Sequence, residues 1–280
     1  MPVERVYCGS ELPEVSVIIP TWDGQRAGNV PRLVEQLKRQ SLQEVEVILS
    51  LRESPNGRAR NLGAKIAQGK FLVFADDDAI LGDDSVLKRL VESLRRHEDV
   101  GIIGVSQQIP LDANRFQQRC AGQIPRAVSP VVDELTDSDM VTTLCLAIRR
   151  ELFEQIGGMN DWIRAGVDPD LRHRVRQAGY RVAVVPQAWA YHPAPDNMRE
   201  LVRYGFKKGS LTAWQYLFAR NLMYDCPEGH VGDFTAQTTL PYRIARKGGQ
   251  LLGSIARLRL LRVVYDLAYG SGYLWGLTRR

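Results

Sequence analysis

No apolar run in the 280-residue sequence approaches the roughly 20 residues that a transmembrane helix needs. The opening stretch, MPVERVYCGSELPEV, lacks the apolar centre of a secretory signal. Cysteine is scarce: Cys8, Cys120, Cys145 and Cys226 lie far apart, with no CxxC pair. That spacing excludes a zinc pattern and a dense disulfide framework, and it fits reduced thiols in a cytoplasm. A repeat of solenoid period is also missing, which excludes a stacked-repeat architecture. The expected location is therefore cytoplasmic.

What is present is ordinary in bulk. Apolar residues make up 44% and charged residues 25%, the balance of a globular protein with a sizeable core. The length suits one α/β domain of about 200 residues with a smaller appendage. Net charge is only +5, but it is unevenly spread. From Tyr242 onward Arg243, Arg246, Lys247, Arg257, Arg259, Arg262, Arg279 and Arg280 face a single acid, Asp266. Such a tail suits nucleic acid, anionic lipid or an acidic substrate.

Along the chain, apolar runs alternate with helical patterns. EVSVIIPTW (14–22), EVEVILSL (44–51), KFLVFA (70–75) and VGIIGVS (100–106) read as buried strands. Between them, NVPRLVEQLKRQ, residues 57–69 and DSVLKRLVESLRRH read as helices, the last with Asp84 or Ser85 as its cap. This alternation predicts a mainly parallel sheet covered on both faces, with ligands bound beyond the carboxyl ends of strands. Residues 107–140 break the rhythm and are expected to be irregular or partly exposed strands. A strand, a short helix and a Gly157-Gly158 stop follow, then a helix and a last strand running to His192. Pro193-Ala194-Pro195 marks the expected domain edge, with a helical region from 196 to 280.

Asp76, Asp77 and Asp78 stand side by side where the third strand ends. Adjacent carboxylates repel, and their desolvation is costly unless cations or hydrogen-bond donors answer them. A solvated turn is one answer and a metal site is the other. Their position at a strand's carboxyl end favours the site.

Four blocks, VSVIIPTWDG, GRARNLGAKIAQGKFLVFADDD, RRELFEQIGGMND and DPDLRHRVRQAGYRVAVVPQAWAYH, resemble in order and spacing the family 2 glycosyltransferases of bacterial type. The resemblance covers residues 14–192 and implies a GT-A fold, a Rossmann-like, mostly parallel sheet flanked by helices. It implies that Asp76 and Asp78 are a DxD pair holding Mg²⁺ or Mn²⁺ against the diphosphate of a nucleotide-sugar, with Asp77 near the ribose or a ligand water. Hard oxygen ligands suit either ion, which acts as a Lewis acid for the departing diphosphate. It further implies that Asp168, in GVDPDLRHR, is the general base toward the acceptor hydroxyl, whereas Asp170 caps the helix start. His192 matches a position for a third metal ligand or phosphate contact.

Two departures bear on the assignment. Val167 stands where the family often has Glu, removing a group that helps position acceptor or base. At the end of the second strand, Ser50, Leu51 and Arg52 replace an aspartate that hydrogen-bonds the base. A UDP-sugar is the favoured donor, with GDP- and dTDP-sugars open. Pro20, Thr21 and Asp23 follow the first strand where the nucleoside binds, although Asp23-Gly24 also spells a turn. Arg58 and Arg60 suit base or phosphates, or are surface arginines. Trp162 suits a sugar face, or core packing.

In the C-terminal segment, Ile244, Leu251, Leu252, Ile255, Leu258 and Leu261 can share one helical face and leave Arg257 and Arg262 for anionic headgroups. The segment is either interfacial at the inner face of a membrane or packed on the catalytic domain. The expected protein is a metal-dependent inverting glycosyltransferase acting on a glycan, glycolipid or lipid-linked acceptor, with no nucleic acid partner. A sugar nucleotidyltransferase is the first alternative, but PTWDGQRAGNV lacks its glycine density. A non-catalytic sugar-nucleotide binder is the second.

Overall fold

The computed structural model describes residues 2–225, 236–237 and 239–279; Cys226 lies outside them. An edge strand, β1 (Val3–Cys8), precedes β2 (Val15–Thr21), α1 (Asn29–Lys38), β3 (Val45–Leu51), α2 (Asn56–Ile66) and β4 (Phe71–Ala75). After these come β5 (Ile80–Leu81), α3 (Val86–Arg96), β6 (Val100–Gln108), α4 (Arg115–Gln123) and β7 (Thr136–Asp137). The chain continues through β8 (Cys145–Arg149), α5 (Arg150–Gln155), α6 (Val167–Gln177) and β9 (Arg181–Tyr191). Three long helices close it: α7 (Met198–Phe218), α8 (Leu240–Ala256) and α9 (Leu260–Thr278).

The strands make one sheet in the order β1-β3-β2-β4-β8-β6-β9-β5, with β7 also on β9. Period-2 alternation sends each strand's apolar residues to two faces. Val15, Val17 and Ile19 of β2 pack with Leu33 and Leu37 of α1 and with Leu87, Leu90 and Leu94 of α3. Ile18 of β2 and Leu72 and Phe74 of β4 face the other way, onto Phe153 of α5 and Leu171 and Val175 of α6. Both faces are thereby covered, which is why these strands read as continuous apolar runs.

Several expectations need correction. The sheet is mixed rather than mostly parallel, because β8 runs antiparallel between β4 and β6. The N-terminal residues form β1, antiparallel to β3. Its Arg5 reaches the buried Glu46 carboxylate at 2.6 Å, a partner that lets β3 carry an acid in the core. Residues 107–140 are not merely irregular, since they hold α4 behind a capping box in which Asn114 and Gln117 satisfy each other's backbone N–H groups. Ser85 is the N-cap of α3, but its side chain makes no capping bond. Finally, the C-terminal apolar positions do not share one continuous helix. The chain turns between α8 and α9, with Leu258 at φ +53°.

The final helices pack by close backbone approach. A Cβ at Gly209 of α7 would overlap the Tyr269 carbonyl oxygen, and one at Gly272 of α9 would overlap that of Phe206. Glycine at both positions lets α7 and α9 lie side by side in parallel at van der Waals distance. Leu201 of α7 and Tyr265 of α9 join Cys120 and Ile124 beside α4, which ties the C-terminal helices to the sheet domain.

Candidate active site

Parallel pairing of β2 with β4 brings their carboxyl ends to one edge of the sheet. Thr21 to Asp23 leave β2 there, and Asp76 to Asp78 leave β4 there. Antiparallel pairing sets Ile80 of β5 opposite Tyr191 of β9, so the residue after β9, His192, arrives at the same edge. His192 Nε2 lies 3.6 Å from Asp78 Oδ1.

The acidic triplet is answered by two arginines. Arg60 of α2 is 1% exposed and reaches Asp76 Oδ1 at 2.5 Å. It is neither a surface arginine nor open to a base; it is the buried counter-charge beneath Asp76. The same helix packs on the loop after α5 through Gly57, where a Cβ would overlap the Asn160 carbonyl oxygen. Arg26, which the sequence reading did not single out, leans over the triplet from the loop after β2. Its guanidinium is 3.1 Å from Asp78 Oδ2 and 3.7 Å from Asp77 Oδ1. Arg26 and Ala27 hold left-handed φ values of +43° and +52°, a strained backbone of the kind that gathers at functional sites.

Burial pushes the Asp76 carboxyl above its ordinary range, Asp168 and Asp78 add to the push, and Arg60 and His192 oppose it. Burial raises Asp77 as well, against Arg26 and the Thr21 hydroxyl. The influence of Asp168 on Asp76 puts the two carboxylates in one electrostatic neighbourhood. Asp168 stands in the first turn of α6, half-buried, and makes no ion pair among the described residues. Asp170, two residues on, is buried and bound to Arg174 at 2.9 Å; Gly166 is the N-cap and no side chain caps α6, so Asp170 is structural through this ion pair and not as a cap.

Other candidates fall around this edge. Pro20 and the buried Thr21 close β2. Asp23 Oδ1 accepts hydrogen bonds from the backbone N–H groups of Gln25 and Arg26 at 2.9 and 2.8 Å, so one of its oxygens builds the turn. Those bonds hold its carboxyl below the usual range. Arg58 is exposed and paired with Glu53 at 3.1 Å. Trp162 is 49% exposed rather than core, and meets Trp214 of α7 edge-on at 6.2 Å. Trp214 in turn contacts Phe218 at 5.7 Å and carries Arg164 over its ring at 5.6 Å.

Among the described residues, no group of three or more acidic, His or Cys side chains is gathered to hold a metal on protein ligands alone. The donors at this edge, Asp76, Asp78 and His192, are hard oxygens and an imidazole, with His192 and Asp78 3.6 Å apart. That set suits Mg²⁺ or Mn²⁺ when phosphate oxygens complete the shell.

Comparison with known proteins bears on the fold and the family. The fold resembles that of the mannosyltransferase PcManGT from Pyrobaculum calidifontis in complex with GDP-Man and Mn²⁺, at a TM-score of 0.60 and 16% identity, over 98% of this chain and 91% of that one. Residues 1–349 of S. aureus TarS match at 0.50 and 14% identity, over 93% and 90%. At these identities the likeness speaks for the GT-A fold. In sequence, 154 residues, half of this chain, are 29% identical to the O-antigen biosynthesis protein RfbC of Myxococcus xanthus. The match spans 12% of that protein's length. The model of the family described as "Glycosyltransferase like family 2" matches residues 6–209. The chain therefore belongs to the family 2 glycosyltransferases.

Proposed function

We propose that the protein is a metal-dependent, inverting enzyme that moves a sugar from a nucleotide-sugar to a hydroxyl of a glycan, glycolipid or lipid-linked acceptor. The placement of Asp76, Asp78 and His192 at one sheet edge, with Asp168 in the same electrostatic neighbourhood and in no ion pair among the described residues, carries this reading. Residues 1–195 form the catalytic unit, and 196–280 an appended helical region.

Asp76 and Asp78, with His192, would hold a divalent cation, which when bound would neutralise charge on the departing nucleoside diphosphate. Arg60 fixes Asp76 from below and opposes the upward push of burial on its carboxyl. Pro20, Thr21 and Asp23 line the nucleoside, Asp77 meets the ribose, and Arg58 and Arg26 are the cations within reach of the phosphates. Asp168 accepts the acceptor's proton as the acceptor oxygen bonds to the anomeric carbon. The bond from that carbon to the diphosphate breaks with its electron pair leaving on the nucleotide, and one such displacement inverts the anomeric centre. The exposed face of Trp162, backed by Trp214, suits the apolar side of a sugar ring.

The donor is a UDP-sugar, GDP-sugar or dTDP-sugar; GDP-Man appears in the complex of the mannosyltransferase of like fold. The partial match to an O-antigen biosynthesis protein supports a polysaccharide product. No described helix is long and apolar enough to cross a membrane. Peripheral contact of the basic C-terminal helices with the inner face of a membrane is part of the same reading, because lipid-linked acceptors are confined to that surface.

The test is release of nucleoside diphosphate from a panel of UDP-, GDP- and dTDP-sugars, with Mn²⁺ and with EDTA. Metal-dependent release from one donor is expected, including slow hydrolysis into water. Donor binding without turnover, even with candidate acceptors supplied, would instead favour a non-catalytic binder.

A further inference from the structure

The corner between α8 and α9 exposes aliphatic side chains that a water-facing surface does not reward. Leu258 is 80% exposed, Leu252 69%, Leu260 68% and Ile255 52%. The pattern continues along α9, where Leu267 and Leu274 are also exposed. Leu260, Leu267 and Leu274 recur every seven residues, two helical turns, so they form one stripe about 21 Å long. Clustered apolar exposure of this kind marks an interaction surface.

The charges on either side of Leu258 in the chain are of one sign. Exposed Arg257 and Arg259 flank Leu258 and form no ion pair with a described residue. Both also line a cavity of about 360 Å³ together with Arg246 and Arg262, on the glycine-bearing face of α8 at Gly249 and Gly253. Among the described residues, no Asp or Glu lines that cavity. Arg246 is held by Asp225 and Arg262 by Asp266, so Arg257 and Arg259 are the cations left for a ligand at its mouth. Aliphatic groups at the tip with arginines beside them match a bilayer surface, which offers hydrocarbon below anionic phosphates. Nucleic acid would use the arginines but has no place for four exposed aliphatic side chains.

We propose that the α8–α9 corner is a lipid-docking surface, in which Leu252, Ile255, Leu258 and Leu260 enter an anionic bilayer while Arg257 and Arg259 bring a lipid phosphate to the cavity. The α9 stripe then lies along the membrane plane. This proposal rests on the peripheral-membrane reading above and is independent of the glycosyl-transfer chemistry.

Co-sedimentation of the full chain with phosphatidylcholine vesicles, and with vesicles that also contain phosphatidylglycerol, tests it. The unmodified protein is expected to pellet with the anionic vesicles alone and to be released by high salt. Leu258→Asp/Leu260→Asp abolishes pelleting. Arg257→Glu/Arg259→Glu weakens it at least about thirtyfold, the loss of two basic residues near an anionic surface. Circular dichroism and nucleotide release from a soluble donor, both unchanged, show the variants to be folded. The proposal is overturned if the unmodified protein stays in the supernatant, or if both variants pellet like it. It is equally overturned if inorganic phosphate binds the arginines while the leucines make no difference. Concentration-dependent self-association lost in the leucine variant, without vesicle binding, would assign the surface to a second copy. Nucleotide release separates the two failures, since an enzyme active on soluble donor that ignores vesicles loses only the docking surface.

Discussion

Arg60 and Asp76 form the contact on which the geometry of the acidic triplet depends, and its strength follows from their surroundings. Arg60 is 1% exposed, whereas the Asp76 side chain keeps 32% of its surface open to the cleft. Unit charges about 4 Å apart at an effective dielectric constant of about 20 attract by about 4 kcal/mol. Desolvation of the guanidinium and screening on the open side of Asp76 reduce this to a coupling of about 2 kcal/mol. A double-mutant cycle with Arg60→Met, Asp76→Asn and the pair, followed by urea unfolding, measures it. Asp76→Asn strands a buried cation and is expected to cost about 3 kcal/mol. The pair costs about 2 kcal/mol less than the sum of the single changes. Additivity within about 0.5 kcal/mol would refute the reasoning, and Asp76 would then be held by its strand end alone.

Three further outcomes follow from packing. Gly209→Ala forces α7 and α9 apart and lowers stability by about 1–3 kcal/mol in thermal unfolding; Gly248→Ala on α8, where a Cβ meets nothing within 4 Å, is neutral or stabilising. Asp139 is fully buried between Arg172 and Arg176, so Asp139→Asn leaves two guanidinium groups short of a counter-charge. It costs about 3–5 kcal/mol by urea unfolding. Iodoacetamide at mild alkaline pH labels exposed Cys8 first. Cys145 is buried, with its thiol pushed up to about 12, and labels only on unfolding, which peptide mass spectrometry reads out.

Much of the frame was legible because the sheet is covered on both faces. Buried strands such as β2, β3 and β4 carry continuous apolar runs, and the small helices between them announce themselves by period and glycine stops. Strand direction was not legible. The run in β8 reads alike whichever way it pairs, and only the register with β4 and β6 settles it as antiparallel. The helix α4 was missed because its period is masked by glutamines and arginines, although its Asn114–Gln117 capping box was there to be read. In the site, the aspartate triplet stood out by charge density after a buried strand. Arg26 did not, because a loop arginine has no pattern until the turn built by Asp23 aims it at the acids. Arg60 stands out in the sequence as a cation near the site, but its burial beneath Asp76 has no sequence signal. The parallel pairing of α7 with α9 depends on glycines four residues apart in each helix, Gly205 and Gly209 against Gly272 and Gly276, a signal that period-3.6 hydrophobicity does not carry.

The most direct test of Asp168 as base and of Asp76 and Asp78 as donor site separates binding from turnover in Asp168→Asn. Calorimetric titration with the active nucleotide-sugar and Mn²⁺, beside initial rates of nucleotide release to acceptor, reports both on the same protein. Donor affinity is expected to stay within about twofold, while turnover falls at least about a hundredfold, the scale of a lost general base. Turnover equal to that of the unmodified enzyme, or donor binding lost along with it, would contradict the assignment of Asp168.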